Sequence, residues 1–129
     1  MRIKIDDLDK LFSMFIRLRA LNRVGGCERC LTPKKSYKQL QCSHFFGRGR
    51  KSVRWDEDNS AGLCFGCHQH LTSHPLEHVM WFEEYLGTEK LDLLRARERI
   101  MQKPDKEAIE LYLKAKLGDL MIGGRNEGD

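Results

Sequence analysis

The sequence predicts an α+β fold that is mostly helical and is built around a small β-hairpin. Apolar residues recur at helical spacing near the N-terminus and again after residue 75. The stretch 27–59 lacks this period and is rich in Gly, Lys and Ser. Two C-x-x-C pairs flank most of that stretch. At 129 residues the chain is expected to form a single domain, 1–129.

The N-terminal helix is expected within residues 1–26. Apolar positions from Leu8 to Leu18 keep a helical spacing, and Asp6 and Asp7 stand where acidic side chains favour a helix N-terminus. The Gly pair at 25–26 is predicted to end this helix.

A hairpin is predicted in the next part of the chain. Its two strands are expected within the short segments 37–46 and 52–55. The sequence Gly-Arg-Gly-Arg at 47–50 is typical of the connecting loop.

Helices are expected again after Cys64, with C-terminal helices over residues 87–122. Pro75 is favourable in the first turn of a helix that should run to Leu86 and stop at Gly87. Thr88 is the expected cap of the following helix, and the Pro-Asp pair at 104–105 should open the last one. The segment 123–129 is predicted to be a flexible tail.

The positive charge is concentrated in one part of the chain. The net charge is +4, but residues 17–54 hold eleven Lys or Arg and one acid, and therefore carry +10. A polyanion is the expected partner, whereas a solvated basic face without a ligand is the alternative. Charged residues make up 33% of the chain and mean hydropathy is −0.57, so we expect no membrane association. Asp6 and Asp7 stand where a secretory signal would need an apolar stretch, so we expect a cytoplasmic location.

The cysteine spacing predicts a structural zinc site. Each C-x-x-C pair places two thiolates within reach of one ion, and four thiolates complete a tetrahedral zinc shell with no open position. The candidate ligands are Cys27, Cys30, Cys64 and Cys67. Redox chemistry, the other interpretation of C-x-x-C, is expected with one pair beside a βαβ pattern. Cys42 is left without a role.

All five histidines lie between residues 44 and 78. The order of a C-x-x-C pair, His44, Asn59, a second C-x-x-C pair and then His68 resembles the HNH, or ββα-metal, endonucleases. The resemblance implies that 27–86 forms a zinc-clipped HNH core with flanking helices. It is closest to the lambda-phage NinG (Rap) recombination nucleases and covers most of residues 8–86, through Leu11-Phe12-Ser13, Ile16-Arg17-Leu18-Arg19, Cys27-Glu28-Arg29-Cys30, Gln41-Cys42-Ser43-His44-Phe45, Arg54-Trp55-Asp56-Glu57-Asp58-Asn59 and Cys64-Phe65-Gly66-Cys67.

This resemblance implies a metal-dependent DNA endonuclease that acts on branched or recombination-intermediate DNA in a bacterial or phage-infected host cell. His44 is then the general base, Asn59 holds the loop or that histidine, and His68 binds a catalytic Mg²⁺ or Mn²⁺. Ser43 stands where many HNH enzymes have a metal-ligating Asp or His, so His44 is either base or ligand. His74 or His70 is a candidate for the missing ligand.

The basic residues near His44 are candidates for phosphate contacts, which position DNA without reading its sequence. They are Arg48, Arg50, Lys51 and Arg54. A zinc-stapled nucleic-acid-binding module without catalysis is the alternative function. It explains the cysteines and the basic segment equally well, but it leaves the placement of the histidines to chance. Whether two chains pair as a homodimer stays open.

Overall fold

The computed structural model describes residues 3–123, which fold into five α-helices and one two-stranded sheet. The elements, in chain order, are α1 (Asp7–Val24), β1 (Gln41–His44), β2 (Ser60–Leu63), α2 (Phe65–Ser73), α3 (Pro75–Leu86), α4 (Thr88–Ile100) and α5 (Lys106–Gly123). The predicted α+β class is confirmed. Short 3₁₀ helices lie at Tyr37–Gln39, Lys51–Val53 and Glu57–Asn59.

Helix α1 lies between the sheet and α5. It begins at a capping box in which the side chains of Asp6 and Asp9 each accept the other's backbone N–H at 2.9 Å. It ends as predicted at Gly25, whose φ of 73° lies in the left-handed region. Its buried residues Phe12 and Ile16 pack in one core cluster with the buried leucines of α5.

The hairpin pairs β1 with β2 in antiparallel register, with Ser43 opposite Ala61. The prediction of the second strand at 52–55 is therefore wrong. That segment overlaps the 3₁₀ helix Lys51–Val53, and Val53 is buried against Leu91 and Leu94 of α4. Its apolar residue serves a contact with a helix, whereas the true second strand comes later in the chain.

Strand β2 gave no sequence signal because all four of its residues are buried. A strand covered on both sides loses the alternation of apolar and polar residues by which strands are recognised. Its small residues serve close packing instead. A Cβ atom added at Gly62 would stand 2.6 Å from the Cβ of Ala20 in α1, so that position has no room for a side chain.

The C-terminal helices follow the predicted order. Helix α3 has the predicted bounds, and Gly87 ends it with a φ of 86°. Thr88 is the first residue of α4, which has no side-chain cap, so the predicted cap is wrong by one position. Of the predicted tail, Gly123 closes α5, and 124–129 lies outside the described residues. No helix within residues 3–123 is long and apolar enough to cross a membrane.

Candidate metal centre and histidine cleft

The four paired cysteines form one cluster, called here the cysteine centre. Their sulfur atoms all lie within 4.8 Å of one another, and the sulfurs of Cys30 and Cys64 are 3.8 Å apart. Tetrahedral zinc with Zn–S bonds of about 2.3 Å requires sulfurs separated by about 3.8 Å. The donor set therefore fits a structural metal such as zinc, as the spacing of Cys27, Cys30, Cys64 and Cys67 predicts.

Backbone amides and one arginine surround these sulfurs. The N–H groups of Arg29 and Cys30 donate to Sγ of Cys27 at 3.4 and 3.5 Å, and the N–H of Cys67 donates to Sγ of Cys64 at 3.4 Å. The guanidinium of Arg29 donates to Sγ of Cys67 at 3.3 Å. Hydrogen bonds and positive charge stabilise thiolates, which are the form that binds a metal. At Cys67, burial outweighs the bond from Arg29 and raises the pKa of the thiol to about 12.

Thr32 contributes to the stabilisation of thiolates on the more exposed side of the centre. Its hydroxyl lies 3.0 Å from Sγ of Cys30. Hydrogen bonds from the side chain and the backbone of Thr32 lower the pKa of the Cys30 thiol to about 6. Cys42 is different, because burial raises the pKa of its thiol to about 12. It packs against the core cluster of α1 and α5, in agreement with its having no assigned role.

The histidine cleft is a cavity of about 560 Å³ beside β1, α1 and α2. His44 is the last residue of β1, His68 lies in the first turns of α2, and both line this cleft. Three cations, Lys10, Arg17 and Arg48, line it as well. The hairpin and the following helix thus bring together two histidines that are 24 positions apart in the sequence.

His44 is held in its neutral form. Burial, followed by the positive charge of Arg48, lowers the pKa of His44 to about 4. The ring is therefore deprotonated throughout the neutral pH range, as a proton acceptor must be. An exposed imidazole has a pKa of 6.5, close to the pH at which a general base usually works. The lower pKa of His44 results mainly from the loss of solvent on burial.

His68 is oriented by a residue of the neighbouring strand. Its Nδ1 lies 2.5 Å from Oε1 of Gln41, at the start of β1. Since a carboxamide oxygen can only accept, Nδ1 carries the proton and Nε2 is left free as a ligand nitrogen. Burial lowers the pKa of His68, which also favours the neutral form that binds metals.

Asn59 holds the chain that follows His44. Its buried side chain accepts the backbone N–H of Phe46 at 2.8 Å and donates to the carbonyl of Phe46 at 2.9 Å. The backbone carbonyl of Asn59 also accepts the N–H of Phe45 at 2.8 Å. Of the two roles expected for this residue, the contacts correspond to holding the loop.

Asp9 lines the cleft but is not free to bind an ion. Oδ1 accepts from Nε of Arg54 at 3.0 Å and from Nε1 of Trp55 at 2.9 Å. Oδ2 accepts from the second arm of Arg54 at 2.5 Å and from the backbone of Asp6 at 2.9 Å. Within the described residues 3–123, this is the carboxylate in the cleft lining, so an ion there would rely on imidazoles, water and substrate.

The predicted phosphate-binding residues do not form one surface. Arg54 is 8% exposed and bonds to Asp9, so its assignment to a DNA surface is corrected: the guanidinium serves the fold. Arg50 is exposed but lies 2.7 Å from Glu98 of α4. Lys51 is exposed, and Arg48 lines the histidine cleft. Part of the positive charge of residues 17–54 is thus neutralised by ion pairs within the protein.

His74 lies in a different cluster from the one predicted for it. Its ligand nitrogen groups with those of His70 and Glu77, within 4.8 Å of one another, and this group does not include His68. The ring of His74 stacks on that of His70 at 4.1 Å. The expectation that His74 completes the shell of an ion on His68 is therefore corrected, because the α2–α3 junction places it elsewhere.

Sequence reasoning missed three residues of the cleft. Lys10 and Arg17 stand seven positions apart in α1, so two helical turns bring them to one face. That spacing was a signal available in the sequence. Gln41, which orients His68, gave no comparable signal because its role depends on the pairing of β1 with a strand that was predicted elsewhere.

Comparisons with protein-family models, with curated proteins and with solved structures find no match to this chain. The function proposed below is therefore inferred from the residues of the cysteine centre and the histidine cleft.

Proposed function

We propose that the protein is a metal-dependent DNA endonuclease of the HNH class whose fold is stapled by zinc at the cysteine centre. One observation carries the proposal: His44 from β1 and His68 from α2 line a single cleft together with three cations. A neutral imidazole, a second imidazole with a free ligand nitrogen and a positive lining are the groups that phosphodiester hydrolysis requires.

His44 is the proposed general base. It is deprotonated at neutral pH, and the loop after it is held at two points by the side chain of Asn59. In this role the ring takes a proton from the attacking water. A phosphate anion near Arg48 would offset part of the positive charge that, after burial, lowers the pKa of His44.

His68 is the proposed ligand of the catalytic ion. Its Nε2 is free because Gln41 binds the other ring nitrogen. A Mg²⁺ or Mn²⁺ ion bound there supplies charge for the phosphate and the leaving 3′ oxygen. Mg²⁺ prefers oxygen ligands and ordinarily keeps several waters, so water and substrate oxygens would supply most of its shell around the one imidazole. His44 as an additional ligand is the alternative assignment that Ser43 leaves open.

DNA is the proposed substrate. Lys10, Arg17 and Arg48 present positive charge around the two histidines, where they neutralise backbone phosphates. Such contacts fix the position of the strand and do not read its sequence. We therefore propose selection by DNA shape, with branched recombination intermediates as the substrate that the NinG resemblance implies.

A nicking assay tests the proposal. Tag-free, zinc-loaded protein should convert supercoiled plasmid to nicked circles with Mg²⁺ or Mn²⁺, and EDTA should stop the reaction. His44→Ala should lose this activity, whereas Gln69→Ala, an exposed change beside His68, should keep it. Parallel reactions on a four-way junction, a flap and a plain duplex identify the preferred shape. DNA binding without metal-dependent cleavage would instead support the non-catalytic zinc-stapled module.

A further inference from the structure

A third cluster of ligand groups lies at the junction of α2 and α3, away from the cysteine centre and the histidine cleft. We call it the junction cluster, and it consists of His70, His74 and Glu77. One ligand atom from each residue lies within 4.8 Å of the other two. Nε2 of His70 donates to Oε2 of Glu77 at 2.7 Å, and an ion bound by both groups would displace this proton. The cluster is more exposed than the cysteine centre, so water can complete a coordination shell.

The hydrogen bond of His74 prepares its ring for an ion. Nδ1 of His74 lies 2.7 Å from the carbonyl oxygen of His70. A carbonyl only accepts, so Nδ1 carries the proton and Nε2 is the free nitrogen. Metal-binding histidines commonly donate their other ring nitrogen to a carbonyl in this manner. His74 is thus in the tautomer that binds a metal.

The local backbone holds the three groups in place. His70 lies in the last turn of α2, His74 ends that helix, and Glu77 lies in the first turn of α3. Pro75, the first residue of α3, fixes the backbone between the histidine and the carboxylate. A simple ion pair between His70 and Glu77 is the alternative explanation of this cluster. It does not explain why the ring of His74 stacks on that of His70 at 4.1 Å.

We propose that His70, His74 and Glu77 bind a second divalent ion of the zinc type. Two imidazoles and one carboxylate suit Zn²⁺ and similar transition metals, whereas Mg²⁺ prefers oxygen ligands. This ion is distinct from the zinc of the cysteine centre and from the ion proposed for His68. Its affinity is expected to be the lower of the two zinc sites, because three more exposed residues hold the ion in place of four thiolates.

Occupancy of the junction cluster links α2, which lines the histidine cleft through His68, to α3. Helix α2 carries His68, and α3 carries His78, whose ring centroid lies 5.9 Å from that of Phe45, the residue after His44. An ion that joins α2 to α3 therefore restrains the helix on which His68 lies. The binding itself does not depend on nuclease activity and can be measured without DNA.

Zinc titration tests the site. Tag-free protein with its cysteine centre filled should bind one further equivalent of Zn²⁺ by calorimetry or equilibrium dialysis. His74→Ala and Glu77→Gln should lose that equivalent and keep the first, whereas Glu83→Gln, a matched change of an exposed glutamate on α3, should bind two. Wild-type protein that binds no zinc beyond the equivalent in the cysteine centre would overturn the proposal. A second equivalent that is lost in His68→Ala but kept in His74→Ala would overturn it as well.

Thermal unfolding provides a second measurement. An ion that binds the folded state and bridges two helices raises the melting temperature as its concentration increases. Excess Zn²⁺ should therefore raise the melting temperature of the zinc-loaded wild type, and the shift should be absent in His74→Ala. Equal shifts in the two proteins would overturn the proposal. Because these measurements use zinc and no DNA, their failure leaves the nuclease proposal intact.

Discussion

The cysteine centre and the histidine cleft use consecutive residues of α2 for different purposes. Cys67 is buried among the sulfurs of the cysteine centre, and His68, the next residue, lines the cleft. The centre has four protein ligands and no place for a substrate. The cleft offers two imidazoles beside open space, so water and a phosphate can enter. The difference between a closed and an open donor set separates a site that holds the fold from one suited to chemistry.

The two regions should therefore respond differently to mutation. Loss of a ligand from the closed centre removes binding energy that the small fold depends on. Loss of a histidine from the open cleft leaves the four cysteine ligands in place, so the fold should persist. Each of the following experiments tests this contrast.

The largest effect is expected for a ligand of the closed centre. Cys64→Ser should abolish tight zinc binding and cost most of the stability of the fold, because metal binding and folding are linked in domains of this size. Metal analysis should find one tightly held zinc per chain in the wild type, and circular dichroism should report its melting. Cys42→Ala is the matched control and should keep zinc. A zinc-free variant with an unchanged melting curve would contradict the structural role of the centre.

The cleft should show the opposite behaviour. His44→Ala should retain zinc, fold and most DNA binding, while cleavage falls by roughly 10²–10⁴-fold, because a general base acts in the transition state. Plasmid nicking rates and a DNA-binding assay separate the two effects.

His68→Ala sharpens the assignment within the cleft. As a ligand it sets the affinity for the catalytic ion, so its defect should shrink when Mg²⁺ or Mn²⁺ is raised, and the defect of His44→Ala should not. Rescue of His44→Ala by excess metal would instead identify His44 as the ligand. Cleavage at the wild-type rate in both variants would favour the non-catalytic binding module.

Asp9 tests whether every polar group in the open cleft is functional. Burial raises the pKa of Asp9, but the bonds from Arg54 and the backbone of Asp6 outweigh it, so the pKa lies below 3.8. This pair therefore stabilises the fold above pH 3.8, and the contribution is lost as pH falls through that value toward the lowered pKa. Asp9→Asn leaves Arg54 buried without its partner, which should cost about 3 kcal/mol at neutral pH.

Denaturant unfolding of wild type and Asp9→Asn over a range of pH checks this prediction. The difference between the two proteins cancels contributions that they share, including those of the histidines and thiolates. It should be largest near neutral pH and should shrink below pH 3.8, where the wild-type carboxyl becomes protonated too. A difference that is independent of pH would contradict the structural role assigned to Asp9.

Most helices and the cysteine centre could be predicted because their signals are local. Pro75, Gly87 and the C-x-x-C spacing act within a few residues. Strand β2 could not, because its small buried residues reflect the approach of α1 from elsewhere in the chain. The role of Arg54 depended in the same way on a distant partner, Asp9, which no local pattern identifies.

The residues of the candidate site also fall into those with a local sequence signal and those without one. His44, Asn59 and His68 could be singled out by their order around the cysteines, and the structure brings both histidines to one cleft. Helical spacing accounts for His74 beside His70, four residues earlier, but not for Glu77, whose place depends on the path of the chain between α2 and α3. When the role of a residue depends on contact between two secondary-structure elements, it can be assigned only from the fold.

Asn59 tests how the cleft is supported. Asn59→Ala removes a buried side chain that satisfies both the N–H and the carbonyl of Phe46, and we expect a loss of about 2 kcal/mol. Cleavage should fall although zinc remains bound, because the loop after His44 is no longer held. Chemical denaturation measures the first effect and single-turnover nicking the second. Wild-type cleavage in a destabilised variant would show that the loop needs no such support.

The smallest effect is expected for the cations, where the open cleft should differ from the buried part of the basic segment. Arg48 lines the cleft and contacts few other groups, whereas Arg54 forms a buried ion pair with Asp9. Arg48→Ala should therefore reduce the slope of log affinity against log salt by about one unit, because each phosphate contact releases roughly one condensed counterion. Arg99→Ala, an exposed arginine of α4, is the control and should keep the wild-type slope.

Equal slopes in all three proteins, measured by fluorescence anisotropy on labelled DNA, would place the DNA surface outside the cleft. If the slope of Arg48→Ala alone falls while its zinc content stays unchanged, the cleft binds the phosphates and the change does not act through the cysteine centre.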